Sequence, residues 1–215
     1  MYSKNMVGRI FMRHRRLNKN KIIKLVLVVL LLSIGLIIFR NFYKKDKYKN
    51  EGITMTEEEK EIIDKVIALA EEKIGLQYVW GGKGEVMTEE RLDELISYYG
   101  DSYYPLSRET YIGNQAFDCS GLTYWTYKEV TGVEIGYSTF DQEDILQGYE
   151  INKEDLQPGD LIYTPGHVVL YIGRGEIINA YNKYVYPIGG VKKSNLYLSE
   201  DSVIYRPIDY INSLK

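Results

Sequence analysis

The chain has 215 residues, a formal net charge of −3, 45% hydrophobic residues and a single cysteine. One cysteine excludes an intrachain disulfide framework, and the length leaves room for one domain of ordinary size with a short appendage. The charge is divided: residues 1–45 carry 11 Lys and Arg and no acid, which leaves 16 basic residues against 30 acidic ones in the remainder. So acidic a body is not built to bind nucleic acid.

In chain order, a basic segment at 1–21 leads into an apolar run over 22–39, interrupted by Lys24. That run is near the short end of the roughly 17–25 residues a spanning helix needs. Cations before it and acids after it predict a cytoplasmic N-terminus and an extracytoplasmic remainder. The expectation is a single-pass transmembrane signal anchor, with the membrane as a partner. The alternative is a cleaved signal peptide and a secreted domain, but Phe39-Arg40-Asn41-Phe42 offers no small-residue cleavage site. A charged linker at 40–55 follows, and the folded domain is expected at 56–215.

Thr56 and Glu59 form a capping-box pair, and Ile62, Ile63, Val66, Ile67, Ala70 and Ile74 recur at helical spacing. They predict an amphipathic helix ending near Gly75. Residues 77–82 read as a short extended piece closed by two glycines. The tract 83–116 predicts a helix from Thr88 to about Tyr99, followed by a Tyr-, Gly- and Pro-bearing loop. A helix is predicted to open at Asp118-Cys119 and stop at Thr131-Gly132. A short one runs from the Thr139/Gln142 pair to Gly148. Residues 160–164, 167–172 and 176–181 are β-rich runs parted by Pro165-Gly166 and Gly173-Arg174-Gly175, and 203–206 reads as a closing strand. Helices first and a meander afterwards predict an α+β fold, N-terminal helices on a C-terminal antiparallel sheet.

A lone cysteine is either a small buried apolar residue or a reagent. Cys119 falls in the first turn of a predicted helix, where unpaired N–H groups and the helix dipole favour a thiolate. Asp118 is expected to cap that helix. Ser120 and Gly121 keep the turn small enough for a substrate backbone to approach. Of the two histidines, His14 lies among the arginines before the apolar run, so His167 is the candidate base. An imidazole that takes the thiol proton gives an ion pair at neutral pH. Asn179, polar between Ile177-Ile178 and Ala180-Tyr181, is either an edge-strand asparagine or the group that orients the imidazole. Asn182 or a backbone carbonyl is the alternative. No paired Cys/His metal ligands occur, and Gly81-Gly82-Lys83-Gly84 lacks P-loop spacing, so neither cofactor nor metal is expected.

Four ordered motifs carry a resemblance: Gln77-Tyr78-Val79-Trp80-Gly81-Gly82, Phe117-Asp118-Cys119-Ser120-Gly121-Leu122, Leu156-Gln157-Pro158-Gly159-Asp160-Leu161, and Gly166-His167-Val168-Val169-Leu170-Tyr171-Ile172-Gly173. Together they resemble the NlpC-type family of papain-like cell-wall cysteine peptidases, over roughly 57–207. The resemblance implies a papain-like fold and peptidoglycan as the substrate. It implies hydrolysis of a stem-peptide bond, commonly that between D-glutamate and the diamino acid. Residue by residue, Cys119 matches the nucleophile, His167 the base and Asn179 the third polar position. Tyr78 matches a tyrosine near the nucleophile, and Asp118 and Ser120 match positions that bind a free substrate amine in some members. An N-acetylmuramoyl-L-alanine amidase, an acyl transferase and a catalytically silent wall-binding module are the alternatives on the same scaffold.

Two departures stand out. Val169 replaces a glycine common in the family, and the tract 83–116 is longer than the usual link. Both ends of that tract adjoin site motifs, which predicts a wall or lid over the cleft, against a surface decoration packed elsewhere.

Overall fold

The computed structural model describes residues 19–49, 55–182 and 185–215, with side chains from 23 to 38 in the first stretch. The chain divides into two compact units, Met1–Asp46 and Lys47–Lys215. Helix α1 (Lys19–Lys49) holds the apolar run, and its large apolar side chains from Ile23 to Ile38 are each more than half exposed. Among the described residues no helix is long and apolar enough to cross a membrane. The spanning helix expected over 22–39 is not found among the described residues, and the side chains at its two ends lie outside them.

In the second unit, helix α2 (Glu57–Glu71) starts as its sequence dictates. Thr56 accepts from the Glu59 N–H, and the Glu59 carboxylate accepts from Thr56. Its apolar face, Ile63, Val66, Ile67 and Ala70, is buried. Strand β1 (Lys83–Val86), helix α3 (Glu89–Tyr99), the short helix α4 (Arg108–Tyr111) and strand β2 (Gln115–Phe117) form the long tract. β1 and β2 pair antiparallel, so the tract is a closed excursion held at its base by a two-stranded ribbon. It has its own small core of Met87, Leu92, Leu95, Tyr104 and Tyr111, joined by Val79 and Ala116.

Helix α5 (Cys119–Thr131) follows directly, capped by Asp118 and ended by Gly132 in the left-handed conformation. Helix α6 (Thr139–Leu146) begins one residue earlier than its sequence suggested. Ser138, with Asp141, forms the capping box, while Gln142 is wholly buried and turns inward. Strands β3 (Leu161–Thr164), β4 (His167–Gly173), β5 (Glu176–Tyr181), β6 (Gly190–Asn195) and β7 (Val203–Tyr205) form one antiparallel sheet in the order β6-β5-β4-β3-β7. Helix α7 (Pro207–Ser213) closes the chain's described part.

Helices precede the sheet and pack on it, as the α+β reading expects. Leu122 and Tyr127 of α5 share one core with Val168, Leu170 and Ile172 of β4, with Ile178 of β5 and with the buried face of α2. The alternate residues of the same strands, Tyr171 and Ile177, join Ile162 and Ile204 in a second cluster. Strand alternation thus gives β4 two different faces, which decides where the side chains at its start can point. Strand β6 was not legible, because Gly190-Val191-Lys192-Lys193-Ser194-Asn195 is polar and is held by pairing with β5 along its whole length.

Candidate active site

The site is assembled at the N-terminus of α5. Asp118 is nine-tenths buried, and its carboxylate accepts from the Gly121 N–H at 2.6 Å and the Gly81 N–H at 3.1 Å. The Lys83 ammonium donates to both its oxygens at 2.7 and 2.8 Å, and also to Ser120 Oγ at 3.0 Å. Ser120 Oγ in turn donates to Asp118 at 3.0 Å. Asp118 therefore ties the helix start, the double-glycine turn and the base of the excursion into one knot.

Gly121 does not leave room for substrate, as its small size had suggested. Its Cα is pressed against the Gly82 carbonyl, and a Cβ there would be driven onto that oxygen. The same carbonyl accepts from the Asp118 N–H at 3.0 Å. The glycine serves close backbone packing, and the approach to Cys119 comes from another side. Gln142, which the sequence reading treated only as a capping residue, braces this turn. It donates to the carbonyls of Ser120 at 2.9 Å and Gly136 at 3.0 Å, and accepts from Tyr163 at 2.8 Å.

Cys119 is buried and lines a cleft of about 740 Å³. One wall carries Tyr78, Trp80 and Gly81, extended by Arg91, Leu95, Tyr98 and Tyr99 of α3. Tyr137 and the start of α6, including Phe140, line it as well. The long tract thus supplies a wall of the cleft that holds the thiol, as its two anchor points suggested, and the surface-decoration alternative does not describe α3.

Burial pushes the thiol pKa up, and the Asp118 charge adds to this. Hydrogen bonds to the sulfur from the backbone of Val168 and Ser120, and the Lys83 charge, pull the other way without reversing it. The Tyr78 hydroxyl is held protonated, first by burial and then by the neighbouring Cys119.

His167 opens β4 and is half-buried, next to the residue whose N–H meets the thiol. Its side chain lines a second cavity, of about 320 Å³, with Val169, Ile177, Asn179 and Tyr181. The Tyr181 ring meets the imidazole edge-on at 6.3 Å. Asn179 is buried in that cavity, whereas Asn182 is exposed and does not line it. Val169 adds its side chain to the same wall. Burial lowers the His167 pKa.

Cys119 thus lines the cleft, whereas His167, one residue before Val168, lines the second cavity. Among the described residues no hydrogen bond joins them. A raised thiol pKa and a lowered imidazole pKa both favour the neutral pair over the ion pair. Apo geometries of this kind commonly tighten only with substrate bound. The sign gives a prediction. Alkylation of Cys119 by iodoacetamide should be slow at pH 7 and rise at higher pH than for an ordinary thiol. A plateau of rapid labelling at pH 6–7 would mean that the ion pair exists at rest.

Comparison with known proteins places these residues in a family. The profile described as the NlpC/P60 family matches residues 75–197, more than half of the chain. A Corynebacterium glutamicum protein named "Probable endopeptidase" is 39% identical over 98 residues, covering 44% of this chain and 40% of that protein. The peptidoglycan DL-endopeptidase CwlO of Bacillus licheniformis is 33% identical over 73 residues, covering 32% of this chain and 16% of its own length. This chain therefore spans well under half the length of the curated relatives it matches. Among solved structures, the peptidoglycan hydrolase RipB of Mycobacterium tuberculosis aligns with a TM-score of 0.49 at 24% identity, covering 71% of this chain and 68% of that one.

Proposed function

Because this chain belongs to the NlpC/P60 family, we propose that it is a cysteine peptidase that hydrolyses a peptide bond in the stem peptides of peptidoglycan. The observation that carries the proposal is the placement of the only cysteine. It stands at a helix N-terminus and lines a large cleft, and Val168, whose backbone interacts with its sulfur, directly follows His167 in β4.

In this reading, substrate binding brings the imidazole of His167 to the thiol. As the thiol proton moves to the imidazole, the sulfur attacks the peptide carbonyl and forms a C–S bond. The C–N bond then breaks, and the leaving amine takes the proton from His167. Water, deprotonated by the same imidazole, cleaves the thioester and restores the thiol. Asn179 positions His167 and exchanges no proton, since a neutral amide has none to give near pH 7. Its carbonyl oxygen accepts from one ring nitrogen and leaves the other toward Cys119. Tyr78, kept protonated, is a hydrogen-bond donor beside the sulfur. The bond cut is proposed to be that between D-glutamate and the diamino acid.

The test is digestion of purified peptidoglycan by the full-length chain, with products read by mass spectrometry. The proposal expects a new amino group on the diamino acid. Release of free stem peptide from the sugar lactyl group would mean an amidase instead. Asn179→Ala should lower kcat by about tenfold or more with little change in KM, and Asn179→Gln or His should recover part of it. If Asn179→Ala keeps the wild-type kcat, the third polar group is not Asn179.

Peptidoglycan lies outside the cytoplasmic membrane, so the same reading requires export. The basic segment and the apolar helix are the proposed signal, retained as a membrane tether with the catalytic unit outside. Fractionation tests this: the protein should sediment with membranes and resist carbonate extraction. A processed form in the medium that lacks its first forty or so residues would show the tether to be wrong.

A further inference from the structure

The charged groups of the cleft are already spoken for. Lys83 is held by Asp118 and Ser120, and Arg91 bridges Glu85 at 3.1 Å and Glu94 at 2.9 Å. Asp141 accepts from the Ser138 N–H and hydroxyl at 3.0 and 2.8 Å. Each charged side chain lining the cleft thus has a partner from this chain. The Lys83 ammonium deserves the closest reading, because it is an alkylammonium seated on a buried carboxylate beside the nucleophile. A substrate ammonium offered to Asp118 would have to displace it. Its side chain is 19% exposed, so it is an enclosed contact and not a surface pair that water readily replaces.

What the cleft leaves free is aromatic. Tyr98 is 81% exposed, Phe140 76% and Tyr137 about half, and all three line the cleft. From Tyr98 a continuous line of ring contacts runs inward. Tyr98 meets Tyr99 at 4.7 Å, Tyr99 meets Trp80 at 6.2 Å, and Trp80 meets Tyr78 at 6.1 Å. Tyr78 is the ring whose hydroxyl feels the charge of Cys119. Exposed rings of this size are costly unless something covers them, and their faces suit a flat, uncharged partner that also carries hydroxyl groups. The line connects the mouth of the cleft to the reacting sulfur, so whatever covers the mouth is continuous with the scissile peptide.

We infer that this cleft selects stem peptides still joined to saccharide, with the sugar rings packed against the exposed rings of Tyr98 and Phe140, and that Lys83 removes any reward for a free amino terminus. The inference rests on the peptidase reading above and deepens it. α3 brings Tyr98 and Tyr99 to the cleft and Lys83 stands at the base of the excursion, so the long tract is the element that sets this choice.

Three forms of one stem peptide test it with the full-length chain: a free amino terminus, an N-lactyl terminus without sugar, and the disaccharide-linked form. The disaccharide-linked form should exceed the N-lactyl form in kcat/KM by about tenfold or more, mainly through KM. The free-amine and N-lactyl forms should lie within about threefold of each other. Tyr98→Ala and Phe140→Ala should each bring the disaccharide-to-lactyl ratio toward one. Lys83→Met should raise the ratio of free-amine to N-lactyl form, because it vacates the carboxylate. Equal rates for all three forms, or a tenfold preference for the free amine, would overturn the inference while leaving the peptidase reading intact. If no form is cut, the peptidase reading fails by itself. Titration of full-length Cys119→Ala with the disaccharide-linked peptide, read by tryptophan fluorescence, then decides the inference. Saturable binding that Tyr98→Ala abolishes supports it, and no binding overturns it.

Discussion

Cys119→Ala should reduce the release of stem-peptide products from purified peptidoglycan by at least about 10³-fold, with the fold unchanged. No second cysteine exists to take over, and the hydroxyl next in the chain, that of Ser120, is engaged by Lys83, Asp118 and the Tyr137 carbonyl. The fold should survive because the substitution removes only a sulfur from a buried position at a helix start. The bonds that fix that start belong to Asp118, and those bracing its first turn belong to Gln142. Circular dichroism and the melting temperature should match the wild type, and residual activity of a few per cent would point to another nucleophile. Cys119→Ser separates two ideas further. If the low rate of the alanine variant came from lost packing, serine would restore it. If the sulfur is the nucleophile, serine stays nearly as inactive.

Much of the site could be read from residue order because its parts are local. The cap at Asp118, the stop at Gly132 and the start of β4 each depend on residues within one turn of themselves. The capping box at Thr56 is likewise complete within four residues. What could not be read depends on partners far along the chain. Lys83 and Asp118 are 35 residues apart, and the sequence gives no sign that the ammonium closes onto the carboxylate. Position matching made Asp118 and Ser120 candidates for binding a substrate amine, but the fold brings them an amine of its own. Gln142 looked like a capping residue because the Thr-x-x-Gln spacing is right. Ser138 and Asp141 cap that helix more completely, which frees Gln142 to reach Ser120. The protonation states of Cys119 and His167 turn on a related point. A helix N-terminus can be seen in sequence and lowers a thiol pKa, whereas burial, which pushes it up, depends on the whole packed unit.

Asp118→Ala should be the most damaging substitution for the architecture of the site. It removes the acceptor for the Gly121 and Gly81 N–H groups and leaves the Lys83 ammonium without its carboxylate. Loss of a helix cap costs about 1 kcal/mol, and breaking an enclosed ion pair costs about 3 kcal/mol or more, with some relief as the lysine swings toward solvent. A total near 3 kcal/mol corresponds to a fall of about 10 °C in the melting temperature for a domain of this size. Asp118→Asn keeps a side-chain oxygen for the cap and loses only the charge, so it should fall between alanine and wild type in stability. The two variants also differ at the sulfur. Asp118 raises the Cys119 pKa, so either change should bring thiol alkylation to lower pH, provided the fold holds at the assay temperature. Asparagine allows that readout with the helix start still capped. If Asp118→Asn alkylates at the same pH as the wild type, burial alone sets the state of the thiol. If Asp118→Ala melts with the wild type, the knot at the start of α5 is not what holds the cleft together.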